Sequence, residues 1–320
     1  MTFVASVIFA VFSIASLQGG GAAAVSASPE QRPTVFVVMA EKRAEYELAL
    51  TGMREIFQGE VEDFDLARDP ERVQAFITRV TTYQPDLIVT FGSPAYRIIR
   101  ARAGSVPVMF SMVAYPHKLC AAHEEPWGIA LEVDSGSVAT YLAALSRDEI
   151  PAGSRCRVGV IYNPELSSGM IERLILAGPE LGIEFVTCAV HSKKESLRSI
   201  EDLVRKVDLF FLIPDPLMAG GKVFDRLRLE CFRHHRPIVG FSRQYLSMGC
   251  AACIGPDYRS IGRSTGEEAN AFLENPGTAR SGIVYPSRAE TMIDRDVATR
   301  LQFKIPEDLE SRLPPWLKLE

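Results

Sequence analysis

Short apolar runs rich in β-branched residues alternate with amphipathic stretches through most of the chain, and this alternation constrains the fold more than any other feature. "PTVFVVMA" (33–40) is followed by "EKRAEYELALTGMREIF", where Tyr46, Leu50, Met53 and Phe57 recur at helical spacing. "EVEDFDL" precedes "DPERVQAFITRVTTY", a helix with Asp69 as cap, Pro70 in its first turn and a buried stripe of Val73, Phe76, Ile77 and Val80. "PDLIVTFG", "PAYRIIRARAG" and "VPVMFSMVA" continue the series. Such alternation predicts parallel strands with crossover helices on both faces. Continuous apolar strands suit sheets that are covered on both sides.

After "PWGIALEV" and a helix around "SGSVATYLAAL", the pattern restarts at "CRVGVIYN" (156–163) and runs through "GMIERLILAGPELG", "IEFVTCAV", "SKKESLRSIEDLVRKV", "DLFFLIP", "KVFDRLRLECFRHH" and "RPIVGFS". A chain of 320 residues with two successive α/β units suits two lobes, not one core. The tail reads as a strand, turn and helix in "GCAACIGPDYRSIGRSTGEEANAFL", then a strand and a short helix in "AETMIDRDVATRLQFKIPEDL". It is too small for a third domain. It must complete the two lobes, so the chain crosses between them more than once. The expected partition is residues 28–130 plus about 242–282 for the first lobe, and about 131–241 plus 283–320 for the second.

Residues 3–17, "FVASVIFAVFSIASL", are apolar and uncharged, and Val25-Ser26-Ala27 fits the small-residue rule for signal peptidase. The run is shorter than the ~20 residues of a spanning helix. A secretory signal over residues 1–27 is expected, and with it a periplasmic location; an uncleaved anchor is the other reading. With a formal net charge of -5 and no long Lys/Arg run, nothing argues for nucleic acid or an anionic membrane surface. Of six cysteines, some could pair in an oxidising compartment or fill apolar sites as free thiols.

In open parallel sheets ligands sit at the carboxyl ends of the strands, and those ends are polar here. "LIVTFGSPAYRII" (87–99) places Gly92, Ser93 and Pro94 where a strand meets a helix. Gly92 permits a tight turn, Ser93 reads as the cap and Pro94 as the first helical residue. The N–H groups of Ala95 and Tyr96 would then face an anion. "IYNPELSSG" offers Asn163, Ser167 and Ser168; "LIPDP" offers a rigid carboxylate in Asp215 for an ammonium group; "VGFSRQY" offers Ser242 and Arg243; "MAEKRAEY" offers Glu41 and Tyr46. Each alone also reads as a cap or turn residue. Together they suit a small polar or zwitterionic ligand between two lobes, with Tyr96 or Tyr115 stacking on it.

Catalytic patterns are thin. There is no G-x-S-x-G elbow, Walker A loop or G-x-G-x-x-G after a strand, so no cofactor is implied. Cys250-Ala-Ala-Cys253 has redox spacing but lacks a following helix. His117, Cys120 and His123 carry metal-ligand chemistry on a loop, yet their spacing matches no standard zinc pattern, so no metal site is assigned.

The motifs "VTFGSPAYRII", "VMFSMVAYP", "RVGVIYNPELSSG", "LIPDP", "RPIVGFSRQYLSMGCAACIGPDYRSIGRSTGEEA" and "LQFKIPEDL" resemble, in consistent order over about residues 33–310, the substrate-binding proteins of bacterial ABC transporters. The group is related to tryptophan- and tyrosine-type binding proteins. The resemblance implies a type I periplasmic-binding-protein fold: two Rossmann-like α/β lobes with parallel sheets, three hinge crossings and a ligand in the interlobe cleft. It places the ligand's charged ends near Ser93, Asn163 and Asp215. It implies a monomer that serves an inner-membrane permease and has no catalytic activity; a periplasmic sensor signalling to a membrane receptor is the alternative. The chain departs from the family pattern at Tyr115-Pro116-His117, where Asp-Pro is common, and at Cys250 and Cys253, where small apolar residues are common.

Overall fold

The computed structural model describes residues 32–119, 127–146, 148, 150–151, 153–218, 221–275 and 282–319. The expected signal segment, Cys120 and His123 lie outside them. Among the described residues no helix is long and apolar enough to cross a membrane.

The first sheet is built from β1 (Thr34–Met39), α1 (Ala44–Ile56), β2 (Glu60–Asp65), α2 (Pro70–Tyr83), β3 (Leu87–Phe91), α3 (Ser93–Ile99), β4 (Val108–Val113) and β5 (Trp127–Ala130). The chain then crosses at 131–134. The second unit is α4 (Ser135–Ser146), β6 (Cys156–Tyr162), α5 (Pro164–Ala177), β7 (Ile183–Ala189), α6 (Lys193–Val204), β8 (Leu209–Phe211), α7 (Gly221–Arg233), β9 (Ile238–Gly240), α8 (Gln244–Ser247) and β10 (Ala252–Pro256). At Asp257 the chain returns to the first lobe as α9 (Tyr258–Glu274) and β11 (Gly282–Val284). It crosses back through 285–288 into β12 (Ala289–Ile293), α10 (Arg295–Arg300), α11 (Leu309–Arg312) and β13 (Leu317–Leu319).

The sheet orders are β11-β5-β4-β3-β1-β2 and β13-β12-β10-β9-β8-β6-β7. All pairs are parallel except β10 with β12. Alternation along β1 shows why its apolar run is unbroken. Val35, Val37 and Met39 pack with Leu50, Met53 and Ile261 on one face. Phe36 and Val38 pack with Phe76, Val80 and Ile99 on the other. The second sheet repeats this arrangement, with Tyr141, Leu145 and Leu174 against one face and Ile200, Phe224 and Leu227 against the other.

One expected boundary is displaced. Residues 252–256 form β10 in the second sheet, not the first: Ala252 and Cys253 pair in parallel with Val239 and Gly240, and β10 pairs with β12 on its other side. An apolar run carries no mark of which sheet it will join. The crossing falls at the cap of α9 instead, where the Asp257 side chain accepts from the Ser260 N–H at 2.9 Å. From there α9 lies against α1 so closely that an added Cβ on Gly262 would sit 1.8 Å from the Ala49 carbonyl oxygen. The first and third crossings run together, tied by Asp134 N–H to Pro286 O (2.9 Å) and Ser137 Oγ to Ser287 O (2.9 Å).

Candidate ligand-binding site

A cavity of about 570 Å³ opens between the carboxyl ends of the two sheets. Its first-lobe wall carries Glu45, Leu48, Ala114 and Tyr258; the crossings add Leu131, Glu132 and Val133. The second lobe supplies Met170, Phe241, Ser242, Arg243, Ile254, Glu290 and Met292. The walls are therefore mostly apolar or aromatic, with carboxylates and a guanidinium at intervals, as in sites for small organic ligands. A larger cavity, about 630 Å³, borders Cys156 and Ile183 at the amino ends of β6 and β7. Parallel sheets do not present ligand sites there.

A smaller recess of about 190 Å³ adjoins the cleft through Ala114 and Leu131, which line both. Glu41, Arg43, Tyr46, Arg68, Ser93 and Pro94 surround it. One oxygen of Glu41 accepts from Arg43 and, at 2.9 Å, from Arg68. The guanidinium of Arg43 beside Glu41 holds its carboxyl below the usual glutamate value. Gly92 is the cap of α3, with φ of 81°, and an added Cβ would lie 2.2 Å from the Tyr46 hydroxyl. The glycine thus answers both a left-handed turn and a close approach. Ser93 is the first helical residue, not the cap, and no side-chain hydrogen bond caps the helix. The expected capping duty is corrected, and Ser93 lines the recess. Ala95 and Tyr96 are buried, with Tyr96 edge-on to Phe110 at 5.6 Å, so neither ring nor methyl lines either cavity.

The second-lobe polar residues serve one another. Asp215, wholly buried, accepts from Asn163 N–H at 2.7 Å, Ser167 Oγ at 2.8 Å and Leu217 N–H at 2.9 Å. It is an internal tie between the ends of β6 and β8, which corrects its expected role as an ammonium acceptor. The Asn163 side chain caps α5 through Glu165 N–H at 3.0 Å. The Ser168 hydroxyl bonds back to the Pro164 carbonyl. Ser242 Oγ is buried without a hydrogen-bond partner and borders the cleft.

Tyr115, two residues beyond β4, lies in the left-handed region, and its ring neighbours Ser167 of the second lobe. Its hydroxyl is buried without a hydrogen-bond partner. Burial pushes the phenol well above its ordinary pKa; neighbouring Ser167 opposes the shift, while Asp215 and Glu132 add to it. His117 is held below its ordinary value by burial, with Lys118 adding to the effect. Among the described residues no group of three metal-ligating side chains converges. Cys250 and Cys253 are fully buried, and burial raises the Cys250 thiol.

Sequence reasoning missed Arg43, Arg68, Glu132, Arg173 and Tyr285. Only Glu132 carried a signal: a lone acid inside the apolar run "GIALEV". Such an acid is seldom buried without a task.

Two lobes of parallel α/β sheet, joined by three crossings around a cleft at their strand ends, define a binding protein of the type I periplasmic class. The chain belongs to the family described as ABC transporter substrate binding protein, which matches residues 47–313. That family binds substrates. A tyrosine-binding protein of Clostridioides difficile is 23% identical over 248 residues, 76% of this chain and 70% of that one. Among solved structures, a ligand-free, open substrate-binding protein with adhesive properties from Clostridium difficile matches with a TM-score of 0.63 and 17% identity, covering 90% of this chain and 99% of that one. An ABC domain from Streptococcus pneumoniae in complex with L-Trp matches at 0.56 and 16%, covering 90% and 100%.

Proposed function

We propose that the protein is exported, captures a small zwitterionic solute with an apolar or aromatic body, and delivers it as a monomer to an ABC permease in the inner membrane. The observation that carries this reading is the charge layout of the interlobe cleft. Its apolar walls, Val133, Met170, Phe241 and Ile254, are flanked by Glu45 and Glu290 in the cleft and by Arg43 and Arg68 in the adjoining recess. A cation on the solute would find Glu45 or Glu290, and an anion Arg43 and Arg68, which also hold Glu41 in the recess. Ser93 in the recess and Ser242 in the cleft supply hydroxyls. The buried, unpaired hydroxyl of Ser242, which borders the cleft, gains most from a ligand partner, because an unsatisfied buried polar group is costly. The tyrosine-binding relative and the L-Trp complex favour an amino acid with an aromatic side chain.

Calorimetry on protein stripped of ligand by unfolding and refolding tests this. At least one amino acid in a full panel is expected to bind with a Kd of about 10 μM or tighter, near −7 kcal/mol. Absence of heat from every amino acid would refute the proposed ligand class.

A further inference from the structure

Tyr115 has φ of 52° and ψ of 53°. Left-handed geometry is unfavourable for a bulky side chain, and a residue before proline prefers extended backbone, so Tyr115 before Pro116 is disfavoured twice. Such a conformation persists only where its surroundings over-determine it. Here the Tyr115 N–H donates to Glu132 Oε1 at 2.9 Å. Glu132 stands on the first crossing and is only 5% exposed. Its other oxygen meets Arg173 Nη2 of α5 at 3.5 Å. The Arg173 guanidinium lies over the ring of Tyr285 on the third crossing, 4.0 Å from its centroid. Burial raises the Glu132 carboxyl, with the Tyr115 N–H and Arg173 pulling the other way. One chain of contacts therefore joins a cleft-facing loop, two crossings and a second-lobe helix.

We propose that Glu132 is a positioning residue that holds the Tyr115 turn, next to cleft-lining Ala114, and that Arg173, stacked on Tyr285, ties this hold to the crossings. The placement of Tyr115 and the angle between the lobes then change together. The proposal rests on the ligand-binding reading of the cleft. A helix that swings away with the second lobe takes Arg173 with it. Glu132 then loses its charge partner, and the strained Tyr115 turn loses what fixes it. The arrangement described has the clasp formed, and a wider opening of the lobes weakens it. Coupling of this kind needs a contiguous element with two arrangements, and these four residues provide one.

Hydrogen exchange on the ligand-free full chain, followed in the segment 111–119, tests the clasp. Arg173→Met removes the charge and the stacking without touching Tyr115. Glu132→Gln keeps an oxygen for the Tyr115 N–H but discards the ion pair. Both are expected to speed exchange at Tyr115 by about tenfold, as local opening becomes easier, while amides of β1 and β3 keep wild-type rates. An unchanged Tyr115 rate in both variants overturns the proposal. So does a uniform acceleration across the second lobe, which marks plain destabilisation. If Arg173→Met does not fold, Tyr285→Leu keeps the test open, since it removes only the ring beneath the guanidinium; it is expected to speed Tyr115 exchange in the same sense. L-tyrosine titrated into the wild type is read separately. Its failure to bind counts against the proposed solute, whereas the exchange result judges the clasp alone.

Discussion

Asp215 shows how a polar residue at a strand end can serve the fold instead of the ligand. Three donors from two segments converge on one buried carboxylate. Replacement by alanine would leave two backbone N–H groups and a hydroxyl without partners in a dry site. Asp215→Ala is expected to cost about 3 kcal/mol or more in denaturant unfolding, and Ser167→Ala, which removes one donor, about 1 kcal/mol. Equal losses from the two would contradict the convergent role. Its sequence, "IPDP", offered a rigid acid but not its direction, because a side chain's aim depends on what is packed around it. Gly92 is the opposite case. A glycine between strand and helix was legible as a turn, and only the approach of the Tyr46 hydroxyl shows its second constraint.

At the scale of elements, the pairing of α1 with α9 decides how the first lobe is built. Gly52 faces the Arg259 carbonyl oxygen, and Gly262 faces that of Ala49, with room for no further carbon. Alanine is the better helix former by roughly 1 kcal/mol. At position 262 the clash outweighs that gain, since the obstacle is backbone and cannot turn aside. Gly262→Ala is expected to destabilise by about 1–3 kcal/mol, measured by chemical denaturation; a rise in stability would show the two helices to be less tightly apposed. The periodicity of "YELALTGMREIF" and the run of residues 258–274 identify both helices from sequence. Their partnership spans some 200 residues and leaves no local trace. The same is true of β10, whose apolar run marks a strand but not its sheet.

Across the whole molecule, three crossings leave the lobes linked yet separable, and side chains of both meet around the cleft between them. A ligand that contacts both walls favours the closed arrangement by its differential affinity for it. Small-angle scattering with the calorimetric ligand is therefore expected to show a smaller radius of gyration than without it. An unchanged profile at saturating ligand would argue that the solute binds to one lobe only.

The sequence by itself determined the alternating α/β plan, the two-lobe organisation, the cap at Asp69 and the polar character of the strand ends. These follow from periodicity and local backbone chemistry, which act over a few residues. Tertiary structure alone decided which polar groups face the cleft, that Asp215 turns inward, that β10 joins the second sheet, and that Glu132, Arg173 and Tyr285 gather behind Tyr115. Those outcomes depend on contacts between residues far apart in the chain, where burial and hydrogen-bond satisfaction select among side-chain directions that local preference leaves equally open.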